Sequence, residues 1–255
     1  VPIRRAAVLT FLVVLAAAAV CAIVYWRNNA AAPTANASRQ INAVPSATQP
    51  GAQPAPATNM GGSNSGGGSN SGGGNAAAQA RQARLDQLYQ QGYQYYNEEQ
   101  YQKAIDLEDR VIREDPTNYP AHTIEGIALC YYGYFNGGSK KSAYFDEGMQ
   151  EIDQALQISP GYSSALFNKA LAYELYGYYD TALYWYDRTI AVEPRSVWSY
   201  YGKAAIYGRR GDVADTVKYL KMAIDLNPEV RQDARGEADF DNVRNSPEFQ
   251  ELVNS

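Results

Sequence analysis

His122 is the only histidine in the 255-residue chain, and Cys130 stands eight positions after it. A cysteine–histidine pair reacts only within hydrogen-bond reach. Eight residues along one helix are two turns, or ~12 Å of rise. The spacing therefore predicts no activated thiol. His122 reads as a packing or surface residue and Cys130 as a small buried apolar one. The other cysteine, Cys21, lies in an apolar stretch far along the chain, so no disulfide framework is implied. HExxH, CxxC and phosphate-binding glycine motifs are missing, and the glycine tract at 61–74 lacks the Lys-Ser/Thr and flanking strand of a phosphate loop. Carboxylates are common but read as solvated helix faces. No catalytic residue, metal ligand, cofactor or small-molecule substrate is expected. Tyrosine is the conspicuous type, with 22 copies, 21 of them after residue 80. A tyrosine offers a large contact area and a hydroxyl at modest entropic cost, which is the chemistry of binding.

The elements that must position those tyrosines declare themselves by period. Pro116, Pro160, Pro194 and Pro228 are spaced 44, 34 and 34. Small residues recur at Gly92, Gly126, Ala170 and Ala204, spaced 34, 44 and 34. A second small series, Ala104, Gly148, Ala182 and Thr216, is spaced 44, 34 and 34, as are Tyr101, Phe145, Tyr179 and Val213. One ten-residue insertion between Leu129 and Phe145 reconciles all four series. Gly133, Gly137, Gly138 and Ser139 lie in that interval, a composition that predicts a loop carrying Tyr134, Phe135, Lys140 and Lys141. Two antiparallel helices approach closely only where small side chains occupy the crossing, with larger apolar groups on its flanks. Proline ends each unit because it cannot continue a helix. Stacked units bury the face that a single unit leaves in water.

The stretch Ser163 to Ser196, with Ala170 and Ala182 at the crossing, Tyr173, Tyr179 and Tyr186 around it and Pro194 at its end, resembles the tetratricopeptide repeat. The resemblance covers about 175 residues. It implies an all-α solenoid of about four helical hairpins, at 85–118, 119–162, 163–196 and 197–230. A cap over 231–255 would use Phe240, Val243, Phe249 and Leu252, with Ser246 capping a helix that starts at Pro247. Glu108 stands where the family usually has an aromatic, which loosens the first unit.

In this family the first helix of each unit lines a concave surface, with its fifth, ninth and twelfth or thirteenth positions turned inward. Carried onto this chain, the inward set is Tyr89, Tyr93 and Tyr96; Thr123, Ile127 and Tyr131; Phe167, Leu171, Glu174 and Leu175; and Tyr201, Ala205 and Arg209. That surface suits an extended or helical peptide. The clamp that some members use for chaperone C-termini is not matched, because Tyr89 and Tyr93 stand where its Lys and Asn would be.

Ahead of the repeats the chain changes character. Ala6 to Trp26 are 21 residues without a charge, preceded by Arg4 and Arg5. At ~1.5 Å per residue they span a bilayer core of ~30 Å. Residues 1–27 thus read as a transmembrane signal-anchor. Cleavage near Ala30-Ala31-Ala32 and lipidation of Cys21 are alternatives, the latter against the pattern because Val20 precedes the cysteine. The arginines favour an inside N-terminus. The initial Val suggests a GTG start in a bacterium or a shortened chain. Residues 28–78, rich in Ala, Pro, Asn, Ser and Gly, predict a disordered linker of ~40 Å span.

All 27 acidic residues follow residue 80, with 18 of the 22 basic ones, so the repeat region (79–255) carries −9. That charge repels phosphate backbones and excludes nucleic acid as a partner. The expected function is a non-catalytic adaptor in a bacterial inner membrane, its repeats periplasmic, that captures a protein or peptide segment in the groove. The alternative is a constitutive structural subunit of an envelope assembly of the secretion, pilus or cytochrome-maturation type.

Overall fold

The structure, a computed structural model, describes residues 71–255, and side chains from Ala76 onward. The apolar segment 6–26 and most of the linker lie outside the described residues. Those described form ten α-helices and two short 3-10 turns, without a strand. Helix α1 (Ser71–Asn97) pairs with α2 (Tyr101–Glu114), and α3 (Tyr119–Asn136) with α4 (Lys141–Ile158). Helix α5 (Ser163–Leu175) pairs with α6 (Tyr179–Val192), and α7 (Val197–Arg209) with α8 (Val213–Leu226). We call these pairs units 1 to 4. Each packs on the next, and α9 (Val230–Gly236) and α10 (Pro247–Asn254) close the end. The result is a stack of helical hairpins. The first helix begins at Ser71, inside the stretch that composition assigned to the linker.

The small residues sit where helices cross. Ala104, Ala170, Ala182, Ala204 and Thr216 are fully buried. In unit 2 glycine stands on both sides. A methyl group at Gly148 would lie 2.4 Å from the Gly126 carbonyl oxygen, and one at Gly126 would lie 2.5 Å from that of Gly148. Turns repeat with the period as well. The backbone amides of Gln100, Tyr178 and Asp212 donate to the carbonyls of Tyr95, Tyr173 and Tyr207 at 2.9–3.0 Å. The residue before each of those three amides is left-handed: Glu99 (φ 59°), Gly177 (φ 82°) and Gly211 (φ 73°). At each unit's end the amides of Asp115, Ser159, Glu193 and Asn227 close the last turn, and the proline follows.

The insertion is not the loop its glycines suggested. Helices α3 and α4 each run 18 residues, against 13 and 14 for α5 and α6. The extra residues are absorbed as an added turn on each helix, leaving only a 3-10 turn at Gly138–Lys140. Aromatic packing explains why. Tyr132 meets Tyr144 at 5.2 Å, Phe145 meets Tyr176 at 4.4 Å, and Tyr134 meets Tyr176 at 5.7 Å. The Tyr176 hydroxyl donates to the Cys130 carbonyl at 3.0 Å, and Gly133 leaves room for that contact.

At the far end, Phe240, Val243 and Phe249 are buried and Leu252 is half-buried against them. The Ser246 hydroxyl accepts from the Phe249 amide, starting α10.

Candidate functional site

Each inward position from the sequence has a definite place. Tyr89 and Tyr93, on α1, are half-buried and stack with ring centres 6.4 Å apart. The remaining positions of units 1 to 3 are mostly closed off. Tyr96 is fully buried, 6.1 Å from both Tyr101 and Tyr131, and Tyr131 stacks on Tyr101 at 5.2 Å. Thr123, Ile127, Phe167 and Leu171 are buried too, and Leu175 is half-buried. The Thr123 hydroxyl is spent on the Tyr119 carbonyl at 2.8 Å. These residues are packing between successive inner helices and are not an open surface. The physical reason is that the stack is tight: Tyr96 meets Tyr131 of the next unit, Phe167 meets Tyr186 of its own, and all belong to one buried cluster.

Unit 4 is covered by the chain's own C-terminal segment. Tyr201 and Ala205 are buried, Tyr201 beneath Phe240 at 5.7 Å. The 3-10 turn Ala238–Phe240 lies on α7, and a methyl at Gly208 would fall 2.7 Å from the Asp239 carbonyl oxygen. Arg209 keeps an exposed side chain but is paired with Asp239 at 2.7 Å. The inner face of unit 4 is therefore not available to a partner, which corrects the assignment of Tyr201 and Arg209 to an open groove.

Glu174 is buried in α5 and accepts the Tyr186 hydroxyl at 2.6 Å. Burial pushes its carboxyl up to about 7, opposed by that hydrogen bond and by the Arg209 guanidinium. Glu237 and Asp239 of the tail add to the upward push, so this end of the inner face is an acid cluster closed by the chain's own segment.

Four tyrosines stay together and partly exposed. Tyr119 at the start of α3 meets Tyr162 edge-on at 4.8 Å, and Tyr162 caps the start of α5. The Tyr162 hydroxyl also lies within electrostatic reach of those of Tyr89 and Tyr93. Tyr89, Tyr93, Tyr119 and Tyr162 thus form one cluster across units 1 to 3. Burial, with the neighbouring phenols second, holds the Tyr89 hydroxyl far above its ordinary value, so it remains a neutral donor. The sequence reading missed Tyr119 and Tyr162. Neither falls on an inward position of the repeat. Both sit at helix starts; Tyr119 follows the cap residue Asn118, and Tyr162 stands where Asn118 and Ser196 stand in the neighbouring units, so a large aromatic in place of a small cap residue was the available signal for Tyr162 alone.

The nucleophile-type residues are occupied elsewhere. His122 is buried with one ring nitrogen 2.7 Å from Glu151 and the other 3.0 Å from the Pro116 carbonyl oxygen. Cys130 is fully buried against Gly148 and the Phe145 carbonyl, and burial pushes its thiol up. Among the described residues, no group of three or more His, Cys, Asp or Glu side chains is arranged to hold a metal ion. Nor is any helix among them long and apolar enough to cross a membrane.

No family model matches the chain, and no curated protein matches it. Solved structures are similar to it, two of them crystal structures of one named protein. A crystal structure of MamA aligns with 62% of this chain and 86% of its own length, at 21% identity and a TM-score of 0.44. A crystal structure of MamA protein aligns with 59% of this chain and 96% of its own length, at 19% identity and a TM-score of 0.31.

Proposed function

We propose that this chain is a tetratricopeptide-type scaffold that binds a protein segment, without catalysis, at the tyrosine cluster of units 1 to 3. One observation carries the reading. Tyr89, Tyr93, Tyr119 and Tyr162 converge from three units while neighbouring aromatics are consumed by packing. Rigid, half-exposed phenols with few rotatable bonds are what a polypeptide partner pays least entropy to meet. The closure of unit 4 by the chain's own tail confines the site to the N-terminal three units.

The scaffold is held at a membrane by residues 6–26, with the repeats on the periplasmic side of a bacterial inner membrane. Confinement near the membrane raises the effective concentration of partners located there. Deleting residues 1–27 is expected to move the chain from the membrane fraction to the soluble one. A chain that stays with the membrane contradicts the anchor.

Replacing Tyr89 and Tyr93 together by Ala tests the binding site. Helicity by circular dichroism is expected to stay within a few per cent of the parent. Affinity for the partner, identified by proximity labelling from the repeat domain, is expected to drop by at least tenfold. Unchanged affinity with both rings removed contradicts the site.

A further inference from the structure

Two inter-unit junctions carry the same device. Lys169 on α5 reaches back to Asp153 on α4, and Lys203 on α7 reaches back to Asp187 on α6. Both lysines are buried. Each ammonium lies over an aromatic ring of its own unit, Trp185 or Tyr219, at 4.1 Å. The two sets are related by the 34-residue period. Lysine is a cation at any ordinary pH, so the charge that closes these two pairs does not depend on it.

The junction between units 1 and 2 departs from that pattern at every position but one. Counted back in register, Asp153 becomes Asp109, Lys169 becomes Glu125 and Trp185 becomes Glu151. The lysine is replaced by an acid that faces Asp109 on α2 and Glu151 and Glu147 on α4. Glu108, also on α2, faces Glu125 and stands where units 2 to 4 bury Ile152, Tyr186 and Leu220. Arg113 pairs with Asp109 from outside. The cation on the inner side of this junction is His122. Its two ring nitrogens meet a carboxylate oxygen of Glu151 at 2.7 Å and the carbonyl oxygen of Pro116 at 3.0 Å. Both partners are acceptors, so both nitrogens must donate, and the ring that satisfies this geometry is the imidazolium. Pro116 ends unit 1 and Glu151 belongs to unit 2. A charged His122 therefore bridges the two units.

We propose that the junction of units 1 and 2 is a proton-operated latch, closed while His122 is charged and Glu125 and Glu108 are neutral, and loosened as they lose their protons. Loss of the His122 proton removes one hydrogen bond of the bridge and its positive charge. Loss of the Glu125 proton sets a half-buried carboxylate against Asp109 and Glu151. The other two junctions keep their lysine–aspartate pairs.

The direction is the same for all three groups. Burial lowers the His122 imidazole, but its hydrogen bonds to Glu151 and Pro116 outweigh this and hold it above 6.5. Burial, then the neighbouring acids, pushes Glu125 up to about 8. Burial, then Glu125, pushes Glu108 up to about 10. A group whose folded value is raised binds its proton more tightly in the folded state. Its contribution is complete below the unfolded value and is lost as pH rises through the folded one. The two glutamates act from about pH 4.5 upward, Glu125 to about 8 and Glu108 to about 10, and His122 acts above 6.5. Unit 1 also carries Tyr89 and Tyr93, so the latch would govern half of the proposed binding site. That consequence rests on the binding proposal; the latch itself does not.

Amide hydrogen exchange of the full chain, read by mass spectrometry at pH 5.5 and pH 8.0 and corrected for intrinsic rates, tests the latch. Each extra proton held by the folded state changes the opening constant tenfold per pH unit. Corrected exchange in α2 is expected to rise by at least tenfold more than in α8. An equal rise in both, or none in α2, overturns the proposal. Glu125→Lys restores the lysine–aspartate pair in register and is expected to reduce the excess rise in α2 by at least tenfold. Glu125→Gln, which keeps the size of the side chain, is expected to reduce it as well. An excess that is undiminished in either folded variant overturns the proposal. Tyrosine binding variants play no part in this readout, so failure of the latch and failure of the binding site are distinguishable.

Discussion

At the residue scale, the most informative positions are those where one unit breaks a rule that the others keep. Glu99 adopts the left-handed turn conformation that Gly177 and Gly211 adopt in units 3 and 4. A side chain there costs about 1–2 kcal/mol. Glu99→Gly is expected to raise the stability of the repeat domain by about 1 kcal/mol, measured by urea unfolding at fixed pH. Glu108 breaks a second rule, because both its carboxyl oxygens are buried without a partner among the described residues. A buried polar group left unpaired costs about 1–3 kcal/mol. Glu108→Leu copies Leu220 at the same register and is expected to recover a similar amount. A loss of stability in either variant contradicts the account of that position. The period made Glu108 visible as an anomaly in the sequence, but placed it as loosely packed. Burial shows instead a tightly enclosed acid. A sequence shows which residue is out of place but not whether neighbours close around it.

At the element scale, hairpin geometry was the most legible feature. Small residues at fixed intervals specify a crossing, and the crossings are buried at Ala104, Ala170, Ala182, Ala204 and Thr216. Gly148→Ala is expected to destabilise unit 2 by about 1–3 kcal/mol, because backbone cannot move aside as a side chain can. Its methyl would meet the Gly126 carbonyl oxygen at 2.4 Å and the Cys130 sulfur at 2.7 Å. Ala182→Trp should overpack the crossing of unit 3 and lower its thermal midpoint; an unchanged melting curve contradicts the crossing. The insertion was legible in length and position but not in form. Gly133 and Gly137 read as loop residues by composition. They lie in and at the end of α3, and Gly133 is there because Tyr144 and Tyr176 press against it. Composition cannot separate a glycine that bends the chain from one that admits a neighbour.

At the scale of the whole molecule, the stack follows from the period, while the open surface does not. Inward positions carried over from the family pattern assume that each unit's inner face stays clear. Here Tyr96, Tyr131, Phe167 and Leu171 pack across units, and the segment around Asp239 and Phe240 closes unit 4. Neither effect is written in a single repeat, since both depend on what the next element places there. Tyr119 and Tyr162 join the site for the same reason, from helix starts that the repeat register does not mark as inward. The molecule that results is a four-unit stack with one protected end, one acid-rich junction and a tyrosine cluster between. This cluster is where we propose that another polypeptide lies. The most direct measurement is site-specific photo-crosslinking in the native cell, with a benzophenone amino acid in place of Tyr93 on the inner face or Gln102 on the exposed face of α2. The account expects a discrete crosslinked partner from position 93 and none from position 102. Equal crosslinking from both, or a partner captured at 102 alone, would contradict it.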